Sequence, residues 1–91
     1  MSASPRKIEI YSTLFCPFCV RAKQLLDAKK VGYDEIDVTA KLNLRRTMIA
    51  RTGGLTSVPQ IFIGGRHIGG CDELVSLERS GQLDKLLQVA C

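Results

Sequence analysis

Cys16 and Cys19 are the residues of this chain whose type and spacing most directly predict chemistry. The segment Cys16-Pro17-Phe18-Cys19 follows an alternating apolar run and precedes apolar residues at helical spacing, which places it at a helix start. Pro17 suits the first helical position, because its missing N–H would be unpaired there anyway. Two thiols so spaced can close a disulfide, and the helix dipole favours the thiolate of the first. The motif predicts redox chemistry, with Cys16 as the exposed nucleophile and Cys19 as the covered resolving thiol.

A zinc site is the alternative use of the same cysteine pair. It would need two further ligands, and the candidates Cys71, Cys91 and His67 do not form a second closely spaced pair. Redox use is therefore favoured and no metal is expected. Thiol–disulfide exchange needs a thiolate and no separate base, so His67 is expected to be an exposed or edge-strand residue. Cys91 is expected to be an exposed thiol without a role.

Two later segments combine proline or glycine with residues that could contact a ligand. The segment Thr56-Ser57-Val58-Pro59 precedes a predicted strand, and in the simpler case its proline serves only to end a turn. If the Val58–Pro59 bond is cis, the backbone N–H and C=O of Val58 would instead face outward, where an extended peptide could pair with them. In Gly69-Gly70-Cys71-Asp72 the glycines allow close backbone approach, and the following helix offers N–H groups to a carboxylate. Asp72 could bind an ammonium group or only favour its helix start. Taken singly, both segments leave the simpler alternative open.

The elements that position these segments follow from the apolar pattern. Strands are predicted over residues 8–11 and 33–38, with a helix between them that Gly32 ends. This order predicts a right-handed parallel crossover. Thr39 is predicted to cap a second helix, which Gly53-Gly54 closes.

The second half of the chain predicts a hairpin followed by helices. Two short apolar runs, 60–63 and 66–68, flank Gly64-Gly65, which is a hairpin signal. A helix is expected to begin at Cys71, and a short final helix to cover residues 82–89. The predicted order is βαβαββα plus a short C-terminal helix, an α/β fold.

Length and composition fit one domain over residues 1–91, with residues 1–6 as a flexible tail. The chain is 45% apolar with a mean hydropathy of +0.06, enough for one core without metal or disulfide staples. It shows no secretory signal and no run of the ~18 apolar residues that a membrane span needs, so a soluble, cytoplasmic protein is expected. Its net charge of +4 comes from scattered Lys and Arg, which indicates solvated helix faces rather than a nucleic-acid site.

Considered together, three segments resemble the signature segments of the dithiol glutaredoxins, especially the bacterial glutaredoxin 3 group. They are Cys16-Pro17-Phe18-Cys19, residues 56–63 and residues 67–74, and the resemblance extends from about Ile8 to Leu87. It implies a thioredoxin-like fold with a four-stranded mixed sheet flanked by helices. It also implies a glutathione-dependent thiol–disulfide oxidoreductase that reduces glutathione mixed disulfides and protein disulfides.

The same resemblance implies a role for each matching residue. Cys16 is the nucleophile and Cys19 the resolving thiol. For glutathione binding, Phe18 lines the groove, and the loop of Ser57, Val58 and cis-Pro59 pairs with the cysteinyl backbone. The segment of Gly70, Cys71 and Asp72 holds the γ-glutamyl end, and Arg45 reaches the glycyl carboxylate. Thr13 stands where the family usually has a lysine for the glycyl carboxylate, so this contact falls to Arg45 or is absent.

The implied partners are glutathione, glutathionylated or disulfide-containing proteins and, for some family members, ribonucleotide reductase. A monomer without nucleic-acid or membrane contacts is expected. Two other functions share parts of this pattern. Thioredoxins usually carry Gly-Pro between the cysteines after a Trp, whereas this chain has Pro-Phe and no Trp. A bridging iron–sulfur cluster could be held by Cys16 and glutathione, but relatives that do so commonly lack a proline at the position of Pro17.

Overall fold

The computed structural model describes residues 7–87, and it has the predicted element order. The elements are β1 (Ile8–Ser12), α1 (Pro17–Ala28), β2 (Asp34–Asp37), α2 (Leu42–Arg51), β3 (Gln60–Ile63), β4 (Arg66–Gly69), α3 (Cys71–Arg79) and α4 (Gln82–Leu87). The expected tail over residues 1–6, the predicted end of the last helix at Val89, and Cys91 lie outside the described residues. Within residues 7–87, no helix is both long and apolar enough to cross a membrane.

The four strands form one mixed sheet in the order β2-β1-β3-β4. β1 and β2 pair in parallel, which confirms the parallel pairing predicted for the strands on either side of α1. β3 pairs antiparallel with both β1 and β4, and β4 forms an edge of the sheet. His67 therefore lies on an edge strand, as predicted.

Strand alternation divides the buried side chains between two faces of the sheet. On one face, Ile8 and Ile10 of β1 and Ile61 and Ile63 of β3 pack against α1, α3 and α4. The helices contribute to this core the fully buried side chains of Ala22, Leu26, Leu74 and Leu83. This apolar core fixes the two helices whose N-termini carry the cysteine motif and Asp72.

On the opposite face, α2 packs against Tyr11 and Phe62 through Met48, but an arginine also takes part. The guanidinium of Arg51 lies 3.9 Å from the centroid of the Phe62 ring. It donates hydrogen bonds to both carboxylate oxygens of Glu9, at 3.2 and 3.1 Å, and to the Tyr11 hydroxyl at 2.9 Å. The hydrogen bond from Arg51 holds the pKa of Glu9 below its usual value. This face is thus partly polar.

The ends of α2 confirm one sequence prediction and correct another. The helix closes at Gly53 (φ +75°), where the N–H of Gly54 donates to the Ile49 carbonyl at 2.9 Å, a typical glycine helix end. The prediction that Thr39 caps the helix is wrong, because α2 begins only at Leu42 after Lys41. The Thr39 hydroxyl instead accepts the N–H of Leu14 at 2.9 Å, so it is committed to the loop after β1.

Candidate active site

Cys16 occupies the N-cap position of α1, directly before Pro17. Its backbone is extended (φ −105°, ψ 107°), and its sulfur accepts the N–H of Cys19 at 3.2 Å. The sulfur takes the place of the side-chain oxygen that usually caps a helix. Its side chain is partly exposed, and the thiol is free. The first cysteine therefore lies at the exposed helix start that the sequence predicts.

Cys19 lies one turn further into α1 and is buried, with 1% of its surface exposed. Burial, followed by the interaction with Cys16, raises the pKa of the Cys19 thiol to about 12. The backbone of Thr13 opposes this shift through a hydrogen bond. The two thiols are thus unequal: one sulfur is accessible at the helix start, and the other is enclosed and remains protonated at neutral pH.

A groove of about 210 Å³ brings together residues from three separate parts of the chain. These parts are α1, the loop before β3 and the start of α3. Its lining comprises Phe18, Ser57, Val58, Pro59, Gly70, Cys71, Asp72 and Glu73. The sequence analysis placed all of these except Glu73 in one site, and the structure places them side by side.

The loop before β3 presents the backbone of Val58 to this groove. The Val58–Pro59 peptide bond is cis, and Pro59 is buried. Within residues 7–87, the N–H and C=O of Val58 have no hydrogen-bond partner. The side chain of Gln60 fixes the neighbouring residue, because its Nε2 donates to the Ser57 carbonyl at 3.0 Å. His67 supports Gln60 in turn, with its Nε2 2.7 Å from Gln60 Oε1.

Arg45 lies beside this loop rather than in the lining of the groove. Its guanidinium donates to the carbonyl of Thr56 at 2.9 Å, two residues before Val58. Thr52, which the sequence analysis missed, holds the same loop at its beginning, because its hydroxyl accepts the N–H of Leu55 at 3.0 Å. Arg45 of α2 and Thr52 directly after it therefore set the position of the loop that carries Val58.

The start of α3 forms the far wall of the groove. Gly70 is the N-cap residue, and the carboxylate of Glu73 accepts its N–H at 2.6 Å. Gly69 has a φ of +126°, and a Cβ there would lie 2.7 Å from Cγ of Glu73, so the position requires glycine. Asp72 is exposed in the first helical turn and has no ion-pair partner within residues 7–87. The three-residue spacing from Gly70 to Glu73 was the signal that could have identified Glu73.

Cys71 contributes to the groove wall as a buried thiol, with 5% of its surface exposed. Burial is the main cause that raises the pKa of this thiol above its usual value. In the described part of the chain, no three His, Cys, Asp or Glu side chains are placed so that they could bind a metal ion together. Cys71 was a candidate zinc ligand and a candidate groove residue from sequence, and it lies in the groove.

A sheet of this topology, with two unequal thiols at a helix start beside an open groove, defines a class of thioredoxin-like thiol–disulfide oxidoreductases. The family model of glutaredoxin matches residues 8–68. The glutaredoxin of Pseudomonas aeruginosa is 54% identical over 80 residues, which cover 88% of this chain and 94% of that protein. Glutaredoxin 3 of Escherichia coli K12 is 48% identical over 81 residues, which cover 89% of this chain and 96% of that protein.

Among solved structures, the crystal structure of a buckwheat glutaredoxin–glutathione complex matches with a TM-score of 0.81 and 31% identity. The match covers 90% of this chain and 76% of the buckwheat chain. The chain therefore belongs to the glutaredoxin family, and its reaction is thiol–disulfide exchange.

Proposed function

We propose that this glutaredoxin uses glutathione to reduce glutathione mixed disulfides and protein disulfides, with Cys16 as nucleophile. The observation that carries the proposal is the groove beside the cysteine motif, which joins Phe18, Val58 and Asp72 in one surface. The buckwheat relative, which shares the fold, was solved as a glutathione complex. The groove matches the chemistry of this tripeptide at three points.

Each part of glutathione meets a complementary group. The free N–H and C=O of Val58 can pair with the cysteinyl backbone as an added strand. The carboxylate of Asp72 can bind the γ-glutamyl ammonium group, and the N–H groups at the start of α3 can bind the γ-glutamyl carboxylate. The exposed ring of Phe18 gives the groove an apolar surface that the aliphatic parts of glutathione can contact. This arrangement directs the glutathione sulfur to Cys16.

In the first step, the thiolate of Cys16 attacks the glutathione sulfur of a mixed disulfide. The sulfur–sulfur bond of the substrate breaks, the protein leaves as a thiolate that takes a proton from water, and a Cys16–glutathione disulfide forms. The thiolate of a second glutathione then attacks the glutathione sulfur on Cys16. This releases glutathione disulfide and restores the Cys16 thiolate, so one free glutathione is consumed for each protein thiol regained.

Cys19 serves the reduction of protein disulfides. Here Cys16 forms a mixed disulfide with the protein, and Cys19 attacks the sulfur of Cys16 to release the protein thiol and close a Cys16–Cys19 disulfide. The interaction with Cys16 is one of the causes that raise the pKa of Cys19. Formation of the mixed disulfide removes the Cys16 thiolate, so Cys19 becomes easier to deprotonate at the stage where it must react.

The test is a coupled assay with a glutathione mixed disulfide, glutathione, glutathione reductase and NADPH. Wild type should turn over, Cys16→Ser should be inactive, and Cys19→Ser should retain this activity while it loses reduction of protein disulfides. Asp72→Ala should raise KM several-fold, as expected for loss of a charged contact in a groove. Asp27→Ala, an exposed aspartate in the last turn of α1, is the matched control and should not change KM. Absence of wild-type turnover would overturn the proposal, and an unchanged KM in Asp72→Ala would remove Asp72 from the site.

Arg45 has two possible uses, which a double-mutant cycle separates. We propose that it reaches the glycyl carboxylate, although its guanidinium also bonds to the Thr56 carbonyl. The cycle compares Arg45→Ala with wild type on glutathione mixed disulfides that carry a glycyl carboxylate or a glycyl amide. If Arg45 binds the carboxylate, the two changes are not additive. Independent effects, in which the two factors of increase in KM multiply, would show that Arg45 acts only through the loop.

A further inference from the structure

The two residues before Cys16 form an apolar projection, which we call the Leu14–Phe15 ridge. Phe15 is 99% exposed and Leu14 is 60% exposed. Neither side chain belongs to the two buried clusters, and neither lines the groove beside the cysteine motif. The ridge therefore lies outside the two apolar cores and is not part of the proposed glutathione site.

The backbone at the ridge adopts a conformation that does not favour phenylalanine. Phe15 has a φ of +58°, in the left-handed region that glycine and asparagine adopt most readily. The turn directs the chain from β1 to the start of α1, and the bond from the Leu14 N–H to the Thr39 hydroxyl ties it to the sheet. Glycine would make this turn at less conformational cost, so the aromatic side chain is not explained by the fold.

The segment that carries the ridge contains no charged residue, although a quarter of the chain is charged. No charged residue occurs from Ile10 to Val20. Phe18, on the other side of Cys16 in the sequence, is 58% exposed and lines the groove. The segment itself offers no charge to an acidic or basic partner, whereas the exposed ring of Phe15 offers apolar surface to an apolar side chain.

We propose that the Leu14–Phe15 ridge is the docking surface for the polypeptide part of the substrate, and that it selects an apolar side chain next to the cysteine being reduced. The inference rests on the proposed function and deepens it. Glutathione fills the groove, so a polypeptide joined to it through a disulfide has to cover exposed surface near Cys16 outside the groove. Phe15 is the most exposed large apolar residue in the described part of the chain, and it directly precedes the nucleophile Cys16 in sequence. Contact with the ridge stabilises the bound polypeptide and leaves the bond changes at sulfur as described above.

The test uses two glutathionylated peptides that differ only in whether leucine or aspartate follows the cysteine. Wild type should prefer the leucine peptide by about five- to tenfold in kcat/KM, the scale of a buried apolar contact at an interface. Phe15→Asn should lose this preference but retain turnover of the mixed disulfide of glutathione with a small thiol. Phe15→Leu should retain most of the preference, because it restores the apolar surface.

Lys30→Asn is the matched control for the backbone. Lys30 has the same φ of +58° and follows α1 at its other end, about 18 Å from Cys16 along a helix of this length. Asparagine adopts the left-handed conformation at lower cost than phenylalanine or lysine, so the Tm of both variants should equal or exceed that of wild type. Only Phe15→Asn should lose peptide preference. A Tm several degrees below wild type in Phe15→Asn would assign the ring a structural role and overturn the proposal.

The outcomes separate this inference from the proposed function. If wild type turns over neither peptide nor the small mixed disulfide, the proposed function fails and the docking surface fails with it. If it turns over both peptides equally, only the docking surface is overturned. Sedimentation equilibrium provides a further check: a wild-type dimer that Phe15→Asn converts to a monomer would show that a second copy of the chain covers the ridge, which would also overturn the inference.

Discussion

The face of the sheet that carries α1 and α3 is held by apolar burial, whereas the face that carries α2 depends in part on one arginine. On the first face, Leu26 and Leu74 are completely buried among isoleucines of β1 and β3. On the second, the guanidinium of Arg51 lies on the Phe62 ring and bonds to Glu9. The apolar face supports the cysteine motif and Asp72, and the mixed face supports the loop that carries Val58.

The difference shows how the two walls of the groove are built. The side of the groove formed by the starts of α1 and α3 is fixed by the main core, so it should persist as long as the protein is folded. The wall with Val58 is positioned by Arg45 of α2 and by Thr52 directly after this helix, because both bond to the loop between α2 and β3. Loss of a core residue should therefore act on stability, while loss of a polar contact of α2 should also act on the binding of glutathione.

The largest effect on stability is expected for Leu26→Ala. It removes a fully buried side chain from the apolar face and leaves a cavity, so the free energy of unfolding should fall by about 2–5 kcal/mol. Urea unfolding measures this loss. Leu42→Ala is the matched control, because Leu42 is 69% exposed and its loss should cost at most about 0.5 kcal/mol. Equal effects of the two changes would contradict the assignment of the core.

Arg51→Ala tests the mixed face and should have a smaller effect on stability. Loss of the guanidinium leaves the part-buried Glu9 carboxylate without its partner, so we expect a loss of about 1–3 kcal/mol. The KM for a glutathione mixed disulfide should rise while kcat changes little, because α2 positions the Val58 loop. Arg46→Ala, an exposed arginine on the same helix, should change neither stability nor KM. An unchanged KM in Arg51→Ala would separate this face from the groove.

The pH dependence of stability gives the smallest expected effect. The hydrogen bond from Arg51 lowers the pKa of Glu9 from its ordinary value of 4.5, so its contribution to stability is present above that pH and is lost as the pH falls through the lower, folded-state value. Below about pH 4.5, wild type should therefore lose more stability than Glu9→Gln. The pKa values of Glu35 and Asp37 are also lowered, so these groups also contribute to the acid loss of stability, but they do so equally in wild type and in Glu9→Gln. Parallel pH profiles would contradict the ion pair.

The element order and the three groove segments could be predicted from sequence because their signals are local. Pro17 and the apolar spacing after it mark the start of α1, and the glycines at 53 and 54 mark the end of α2. The groove itself follows from connectivity, because the segments that begin α1 and α3 and the loop before β3 are brought to one place by the sheet.

Features that depend on tertiary contacts could not be predicted. Glu9 and Arg51 are 42 residues apart in sequence and resemble ordinary surface charges until β1 and α2 pack together. Thr39 has the residue type of a helix cap, but the Leu14 N–H competes for its hydroxyl and the helix begins later. The left-handed backbone of Phe15 has no sequence signal, because glycine is the usual marker of that conformation.

The central claim is that Cys16 is the thiol that accepts glutathione, while Cys19 and Cys71 are held protonated by burial. The most direct measurement reacts the reduced variant that carries both Cys19→Ser and Cys91→Ser with glutathione disulfide at neutral pH and maps the modified cysteine by peptide mass spectrometry. The account predicts one glutathione per chain, on the peptide that contains Cys16, and none when Cys16→Ser is added. Modification of Cys71 at a comparable rate, or an unmodified Cys16, would contradict it.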